Sequence, residues 1–271
     1  VDNNCQIEII IYNIDGGGGT GGYFSPGLSG QREALYVDVA DLGWGNTILA
    51  HEFQHLLHNA RDPFEYAWID EGNADMAAYL CFGATGAVIG HANAWAQAPH
   101  ISVRWWNQSL ADYGAGFLFM LYLASKLGGG QAIRALVADT ATGGAGIENL
   151  ARNPVPGSPG NIGSTMDDIF ANFTIATLLD SSQNPFGLDN IDMYTGCGGG
   201  QFCTLQITDY NGAWGSTWSR LGDDLWGWGV RAYKFIQGTG APLNVMVQAS
   251  EVDFGGRLLY KDVASGTWVA E

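Results

Sequence analysis

The chain has 271 residues, of which 46% are hydrophobic, so it can bury a core of ordinary size in one large domain or two. Its 27 acidic residues against 11 lysines and arginines give a formal net charge of −16. This charge argues against nucleic-acid binding and against binding to an anionic membrane surface, and no stretch approaches the roughly 18 apolar residues of a membrane span.

Two strands are predicted near the start of the chain. Residues 6–14 form a run rich in β-branched side chains, which predicts a buried strand. Residues 35–40 alternate apolar side chains with Tyr36 and Asp38, which predicts a second strand. The glycine-rich run 16–22 between them is typical of a flexible loop or a tight turn.

The next predicted element is a helix over 46–60, which contains the sequence His-Glu-Phe-Gln-His at 51–55. His51 and His55 are four residues apart, so their rings share one face of a helix. Two neutral imidazoles and one carboxylate can bind zinc and leave a fourth position for water, as a hydrolytic zinc site requires. Glu52 stands beside His51, close enough to take a proton from that water.

A further helix is predicted over 70–82, with Asp70 as its N-cap residue. Glu71 and Asp75 are four residues apart on this helix and share a face. One of these carboxylates can bind a metal ion, and the other can accept the N–H of a ligand histidine and fix its tautomer. The alternative is that both are ordinary solvated charges, since charged side chains are mostly exposed.

Together these residues resemble the zinc motif of the gluzincin metallopeptidases, the group that includes thermolysin. By this resemblance His51, His55 and Glu71 are the zinc ligands, Glu52 is the general base, and Asp75 is the hydrogen-bond partner of His51. The spacing between the second histidine and the glutamate is shorter than in thermolysin. The surrounding sequence is most similar to the hyicolysin-like family. The similar segments are 22–25, 32–38, 50–55 and 68–72.

The metzincin pattern does not fit the same helix. Metzincins need a third histidine six residues after the second one, and Arg61 occupies that position here. His58 lies on the helix face of His51, but it is two turns away and too distant to bind the same ion.

An oxyanion donor is predicted in the segment 112–123, which resembles a segment of gluzincin aminopeptidases. In those enzymes a tyrosine three residues before a glycine donates to the oxyanion, which makes Tyr113 the candidate here. The alternative is that Tyr113 only packs by its ring, and Tyr66, His91 and His100 are rival donors. The Gly-x-Met-Glu-Asn motif that binds the substrate amino terminus in those aminopeptidases is missing, which favours an endopeptidase.

The rest of the chain changes character near residue 200. Helices are predicted over 114–127, 130–138 and 165–179, whereas short strand-like runs separated by Gly, Asp and Ser follow. These runs are 202–207, 230–236, 243–249, 257–261 and 267–270. We therefore predict an α+β fold, with a zincin-like catalytic domain over 1–195 and a small all-β module of sandwich type over 196–271. Four tryptophans of this module are candidates for a carbohydrate- or protein-binding face, with core packing as the alternative: Trp214, Trp218, Trp226 and Trp228.

The four cysteines indicate an oxidising compartment. Cys197 and Cys203 flank a short glycine-rich loop and predict a small disulfide, which leaves Cys5 and Cys81 as a second pair. The chain opens at Val1 without a signal sequence, which is typical of a mature or trimmed fragment. An even cysteine count in an acidic, lysine-poor chain predicts a secreted, extracellular protein.

The predicted function is a secreted zinc-dependent endopeptidase that acts on proteins or peptides, with one catalytic zinc ion. A secreted aminopeptidase of the same group and a non-catalytic adhesion or binding protein with a degenerate protease domain are the alternatives. Structural calcium is a further candidate, although no stretch has the spacing of a calcium loop. The candidate calcium ligands are Asp62 with Glu65, or Asp223 with Asp224.

Overall fold

A computed structural model of the chain has an α+β fold in which helices predominate. The structure describes residues 6–28, 32–189, 191–211, 225–236, 255–262 and 264–271. Within these residues, seven α-helices follow a small N-terminal sheet, and short two-stranded sheets come after the last helix. The predicted α+β class is therefore confirmed.

The N-terminal sheet consists of β1 (Glu8–Tyr12), β2 (Gly22–Tyr23) and β3 (Ala34–Asp38) in the order β1-β3-β2. Strand β1 runs parallel to β3 and β2 runs antiparallel to it. Both predicted strands are present, but the prediction that the first one is buried is wrong, because Ile9 and Ile11 are 51% and 52% exposed. Strand β1 lies at the edge of the sheet, and the first helix packs on β2 and β3 instead.

Helices α1 (Gly45–Asn59) and α2 (Ala67–Phe82) pack against each other and carry the predicted zinc motif. A short 3₁₀-helix, Val39–Trp44, leads into α1. Helix α2 begins three residues earlier than predicted, with Tyr66 at its N-cap, so the prediction that Asp70 caps the helix is wrong. Asp70 lies inside the first turn, where its carboxylate contacts histidines instead.

Helix α3 (Gly86–Gln97) was not predicted, because glycines at both ends of its first turn obscure its apolar face. Helix α4 (Leu110–Leu127) starts four residues before the predicted point, since Ser109 and Asp112 form a capping box there. The remaining helices are α5 (Gly130–Ala138), α6 (Gly144–Arg152) and α7 (Met166–Leu179). The prediction covers α5 and α7, whereas α6 lies in a glycine cluster that predicts a loop.

Helix α4 is the central element of the core, and glycines let its neighbours approach closely. Nearly all of α4 from Gly114 onward is buried. A Cβ added to Gly116 would lie 2.7 Å from the carbonyl oxygen of Trp68 on α2, and one added to Gly114 would overlap the carbonyl of His91 on α3. Gly72 on α2 faces Gly116 in the same way, because a Cβ added to Gly72 would lie 2.7 Å from the carbonyl oxygen of Gly116. At these glycines the backbone of α4 therefore packs directly against the backbones of α2 and α3.

After α7 the described strands form separate pairs: β4 (Met193–Tyr194) with β5 (Phe202–Cys203), β6 (Ile207–Asn211) with β7 (Ala232–Ile236), and β8 (Leu259–Lys261) with β9 (Trp268–Ala270). Phe202 and Leu205 are buried in the core that the helices form. The predicted strand 243–249 lies outside the described residues. The sandwich and the domain boundary near 195 stay predictions.

Two of the four tryptophans proposed for a binding face can be placed. The Trp228 ring packs edge-on against Phe170, and the guanidinium of Arg104 lies 4.9 Å from its centroid. Trp226 is about half exposed. Trp214 and Trp218 lie outside the described residues. Core packing is therefore the role that the structure gives to Trp228.

The predicted disulfide between Cys197 and Cys203 is present, with their Cα atoms 5.4 Å apart. Cys81 is exposed on α2, and Cys5 lies outside the described residues, so the second pair stays a prediction. Among the helices that the structure describes, none combines the length and the apolar character needed to cross a membrane.

Candidate metal centre

Helices α1 and α2 bring three predicted ligands together at one point. The Nε2 atoms of His51 and His55 are 3.1 Å apart. Oε2 of Glu71 lies 3.1 Å from Nε2 of His51 and 3.3 Å from Nε2 of His55. The three side chains are partly buried, and within the described residues they form the one group of three His, Cys, Asp or Glu side chains whose ligand atoms all lie within 4.8 Å.

The chemistry of these three atoms fits a metal ion. Each ring has its Nδ1 atom 2.9 Å from a carboxylate oxygen, at Asp75 for His51 and at Asp70 for His55. Because a carboxylate accepts, Nδ1 of each ring carries a hydrogen, so in the neutral rings that bind a metal the Nε2 lone pairs point at each other and at Glu71. A cation between them removes that repulsion. Zinc at about 2.0–2.1 Å from tetrahedral ligands needs ligand atoms about 3.3–3.4 Å apart, close to the observed spacing.

The electrostatics of the cluster also favour a cation. Burial favours the uncharged form of every group, but the carboxylates outweigh it for the rings and raise the pKa of His55 to about 9 and that of His51 well above its usual value. Without an ion, protons therefore supply the positive charge between the carboxylates, and a metal ion displaces them when it binds. In turn the rings lower the pKa of Asp75 to about 2 and hold that of Glu71 below its usual range, again against burial. The carboxylates are therefore ionised at neutral pH, as metal binding requires.

Each ligand histidine is backed by a carboxylate that also contacts another histidine. Asp75 lies where the gluzincin resemblance predicts, with Oδ1 on His51, and its Oδ2 is 2.7 Å from Nδ1 of His91. Asp70 was not predicted to take part. Its Oδ2 holds His55, and its Oδ1 lies 2.8 Å from Nδ1 of the buried His58.

The sequence does contain a signal for this role of Asp70. A second ligand histidine also needs a carboxylate or carbonyl partner for its Nδ1 hydrogen, and Asp70 directly precedes Glu71. His58 lies outside the group of three close ligand atoms, and its Nδ1 lies against Oδ1 of Asp70 instead.

Glu52 lies beside the ligands and under the edge of the sheet. Its side chain is buried, and burial raises its pKa, while His51 and His55 pull the pKa down. Strand β2 covers it at Gly22, where an added Cβ would lie 3.4 Å from Cγ of Glu52 and 2.5 Å from Cγ2 of Ile48. A carboxylate whose pKa is raised above its ordinary value suits a general base.

Tyr113 lies in the first turn of α4, next to His51. Its ring centroid is 6.1 Å from that of His51, and its ring stacks on His91 at 4.9 Å and meets Trp106 edge-on at 4.8 Å. Burial raises the pKa of Tyr113, and the charges of Glu71 and Asp75 raise it further. The hydroxyl therefore keeps its proton and can donate a hydrogen bond.

The rival oxyanion donors occupy different positions. His91 is held by Asp75 and stacks on the Tyr113 ring, so it lies on the same side of the site. Tyr66 is 55% exposed, and its ring packs against Gly143. His100 lies in the segment after α3, where its carbonyl oxygen accepts a hydrogen bond from the Trp226 N–H.

A cavity of about 250 Å³ opens beside the ligands, and its wall includes His55, Glu71 and the acidic side chains of Asp62, Glu65 and Asp70. Asp62 and Glu65 are the residues proposed for calcium. They share this cavity, but they belong to no group of three close ligand side chains among the described residues. Asp223 and Asp224 lie outside those residues. Structural calcium therefore stays a prediction.

No protein-family model and no curated protein of known function matches the sequence. The resemblance to the gluzincins and to the hyicolysin-like family therefore stays a prediction, which depends on the zinc motif and the sequence segments around it. What the site can do has to be argued from its own geometry.

Proposed function

We propose that the chain is a secreted zinc-dependent endopeptidase of the gluzincin type, which hydrolyses internal peptide bonds of proteins. The observation that carries this proposal is the triangle of His51 Nε2, His55 Nε2 and Glu71 Oε2, with edges of 3.1 to 3.3 Å. A zinc ion held by these atoms would lower the pKa of a bound water molecule and polarise a carbonyl group.

The other residues of the site have separate roles in this proposal. Glu52 accepts a proton from the attacking water and hands it to the leaving amine, and burial, which raises the pKa of its carboxyl group, makes it a better proton acceptor than a solvated glutamate. Tyr113 donates to the carbonyl oxygen as negative charge develops on it. Asp70 and Asp75 hold the two imidazole rings by Nδ1, which leaves both Nε2 atoms free to bind a metal ion.

The architecture proposed around this site is a zincin-like catalytic domain over 1–195 followed by an all-β module over 196–271. The disulfide between Cys197 and Cys203 and the net charge of −16 support secretion. All the residues that the chemistry needs are present and converge, which favours an enzyme over a degenerate binding protein. The missing amino-terminus motif favours internal bonds over aminopeptidase action.

The Glu52→Gln variant tests the proposal. It keeps the size of the side chain and removes the base, so hydrolysis of casein should fall by about 10²- to 10⁴-fold while one zinc ion per chain remains bound. Metal analysis after dialysis and a casein assay, with chelation and zinc repletion, measure both quantities.

The matched control is Glu71→Ala, which removes a ligand and should lose zinc together with activity. Full hydrolysis by Glu52→Gln would show that the mechanism is wrong, and zinc retention by Glu71→Ala would show that the ligand set is wrong. Release of amino acids from short chromogenic substrates, without cleavage of casein, would identify an aminopeptidase.

A further inference from the structure

His91 lies close to the metal centre, and the proposed mechanism gives it no role. It belongs to α3, its side chain is 20% exposed, and it lies outside the group of three close ligand atoms. Its ring contacts two groups of the site, the carboxylate of Asp75 and the ring of Tyr113. These groups have different tasks in the proposed mechanism, since Asp75 holds a ligand histidine and Tyr113 is the oxyanion donor.

The contact with Asp75 completes the hydrogen bonding of a buried carboxylate. The Asp75 side chain is 4% exposed, with Oδ1 2.9 Å from Nδ1 of His51 and Oδ2 2.7 Å from Nδ1 of His91. Because an ionised carboxylate only accepts, Nδ1 of each ring donates. Without His91, Oδ2 would lose its donor at a place that water reaches poorly, which is unfavourable. A carboxylate held at both oxygens keeps its orientation toward His51.

The contact with Tyr113 restrains the plane of the tyrosine ring. The rings of His91 and Tyr113 stack with their centroids 4.9 Å apart and their planes inclined by 28°. Trp106 meets the same tyrosine ring edge-on at 4.8 Å. Aromatic pairs of both kinds are favourable beyond the area that they bury. His91 therefore gives the Tyr113 ring a surface to lie on, which limits the directions in which the hydroxyl can point.

The backbone that carries His91 is fixed by two neighbours. A Cβ added to Gly114 on α4 would overlap the carbonyl of His91, so the two helix backbones are in direct contact there. Further along α3, the side chain of Asn93 donates to the carbonyl oxygen of Gln201 and accepts from the N–H of Cys203, both at 2.8 Å. The position of the imidazole is therefore set by the packing of α3.

We infer that His91 is a positioning residue that serves both parts of the site, an inference that rests on the proposed peptidase function. Its Nδ1–H holds Asp75, which orients the ring of His51, and its own ring holds the ring of Tyr113. It neither binds the metal ion nor donates to the substrate. One contact uses the N–H group and the other uses the flat ring, so the two can be removed one at a time.

The competing role for His91 is that of the oxyanion donor itself. Because Nδ1 carries a hydrogen for Asp75, a neutral ring has only a lone pair at Nε2. Donation from Nε2 would need a second proton on the ring, whereas the positioning role needs none. The two roles also predict different effects of a flat ring without nitrogen, which should keep the position of Tyr113 but cannot donate.

Two substitutions separate the contacts. His91→Phe keeps a flat ring beside Tyr113 and removes the donor to Asp75, so zinc affinity should fall about tenfold while kcat at saturating zinc stays within about threefold. His91→Asn keeps an N–H near the position of Nδ1 and removes the ring, so kcat should fall about tenfold or more while zinc affinity stays within about threefold. Competition with a chromophoric chelator measures zinc affinity, and steady-state hydrolysis of a fluorogenic casein peptide measures kcat.

Asn93→Ala is the matched control, since it loosens α3 at the disulfide loop and leaves both contacts of His91 in place. It should change neither zinc affinity nor kcat. If it reproduces either loss, the effects come from the docking of α3 and the inference is wrong. Equal changes of both quantities in His91→Phe and His91→Asn overturn it too. A fall in kcat in both variants with zinc affinity unchanged overturns it in favour of direct donation.

Measurements without substrate test the inference even if no peptide is cleaved, a result that would contradict the proposed function instead. In a double-mutant cycle of His91→Asn with Tyr113→Leu, the unfolding constants from urea denaturation should show a coupling of about two- to tenfold, because the stacked pair can be lost only once. The zinc affinity of His91→Phe should still lie below that of His91→Asn. Independent effects in the cycle, or equal zinc affinities of the two His91 variants, overturn the inference.

Discussion

The two sides of the metal centre use the same pairing of carboxylate and imidazole in different surroundings. On one side, Asp75 bridges His51 and His91 and its side chain is 4% exposed. On the other side, Asp70 bridges His55 and His58 and its side chain is 33% exposed. We call these the Asp75 side and the Asp70 side.

The difference follows from where each carboxylate lies along α2. Asp70 is in the first turn, next to the loop that contains Asp62 and next to the acidic cavity. Asp75 is more than a turn further along, where α3 and α4 close over the helix and the Tyr113 ring stacks on His91. Under the proposed function, the buried Asp75 side suits fixed catalytic groups, and the more exposed Asp70 side suits contact with a substrate that enters from solvent.

The largest effect that would sharpen this comparison is expected at Tyr113. Tyr113→Phe keeps the stacked ring and removes the donor, so kcat should fall by about 10²- to 10³-fold with zinc content unchanged. Steady-state kinetics measures kcat, and metal analysis measures the zinc content.

Tyr66→Phe is the control, because Tyr66 packs against Gly143 near the Asp70 side. It should retain nearly full activity. If Tyr113→Phe is as active as the unchanged protein, then Tyr113 serves only to pack, and His91 becomes the candidate donor on the Asp75 side.

A smaller effect is expected when the backing carboxylates are compared directly. Asp75→Asn and Asp70→Asn should each weaken zinc binding, by about 10- to 100-fold, because they disturb the orientation and basicity of a ligand ring. The loss of zinc affinity should be greater for Asp75→Asn. Water can take over the hydrogen bond of the partly exposed Asp70 but cannot reach the buried Asp75. Competition with a chromophoric chelator measures the zinc dissociation constants, and a larger loss at Asp70 would reverse the assignment of the two sides.

The sequence was sufficient to predict the residues that converge on the metal, because their spacing on two helices determines which face they share. It predicted His51, His55, Glu71 and Asp75, all of which lie together in the structure. It assigned Asp70 to a helix cap, since an aspartate before a helical run is a common N-cap. The pairing of Asp70 with His55 depends on how α1 crosses α2, which local patterns do not specify.

The parts of the fold that were missed have a common cause. Clustered glycines predict loops, yet α3 and α6 both begin at glycines. Gly72, Gly114 and Gly116, by contrast, lie in helices that the sequence does predict. These glycines are needed for close approach between helices rather than for turns. Such a role depends on which helix packs against the glycine, and the sequence around the glycine does not indicate that partner.

The smallest expected effect concerns this close approach between α2 and α4, the helix that carries Tyr113. Gly116→Ala places a methyl group against the Trp68 carbonyl, at 2.7 Å, and should lower the free energy of unfolding by about 1–3 kcal/mol. Gly90→Ala is the control, since its added Cβ meets nothing within 4 Å and the substitution favours the helix by up to about 1 kcal/mol. Urea denaturation measures both. Because the strain separates α4 from α2, activity that depends on Tyr113 should fall more than zinc binding, and equal stability of the two variants would show that the helices can part without cost.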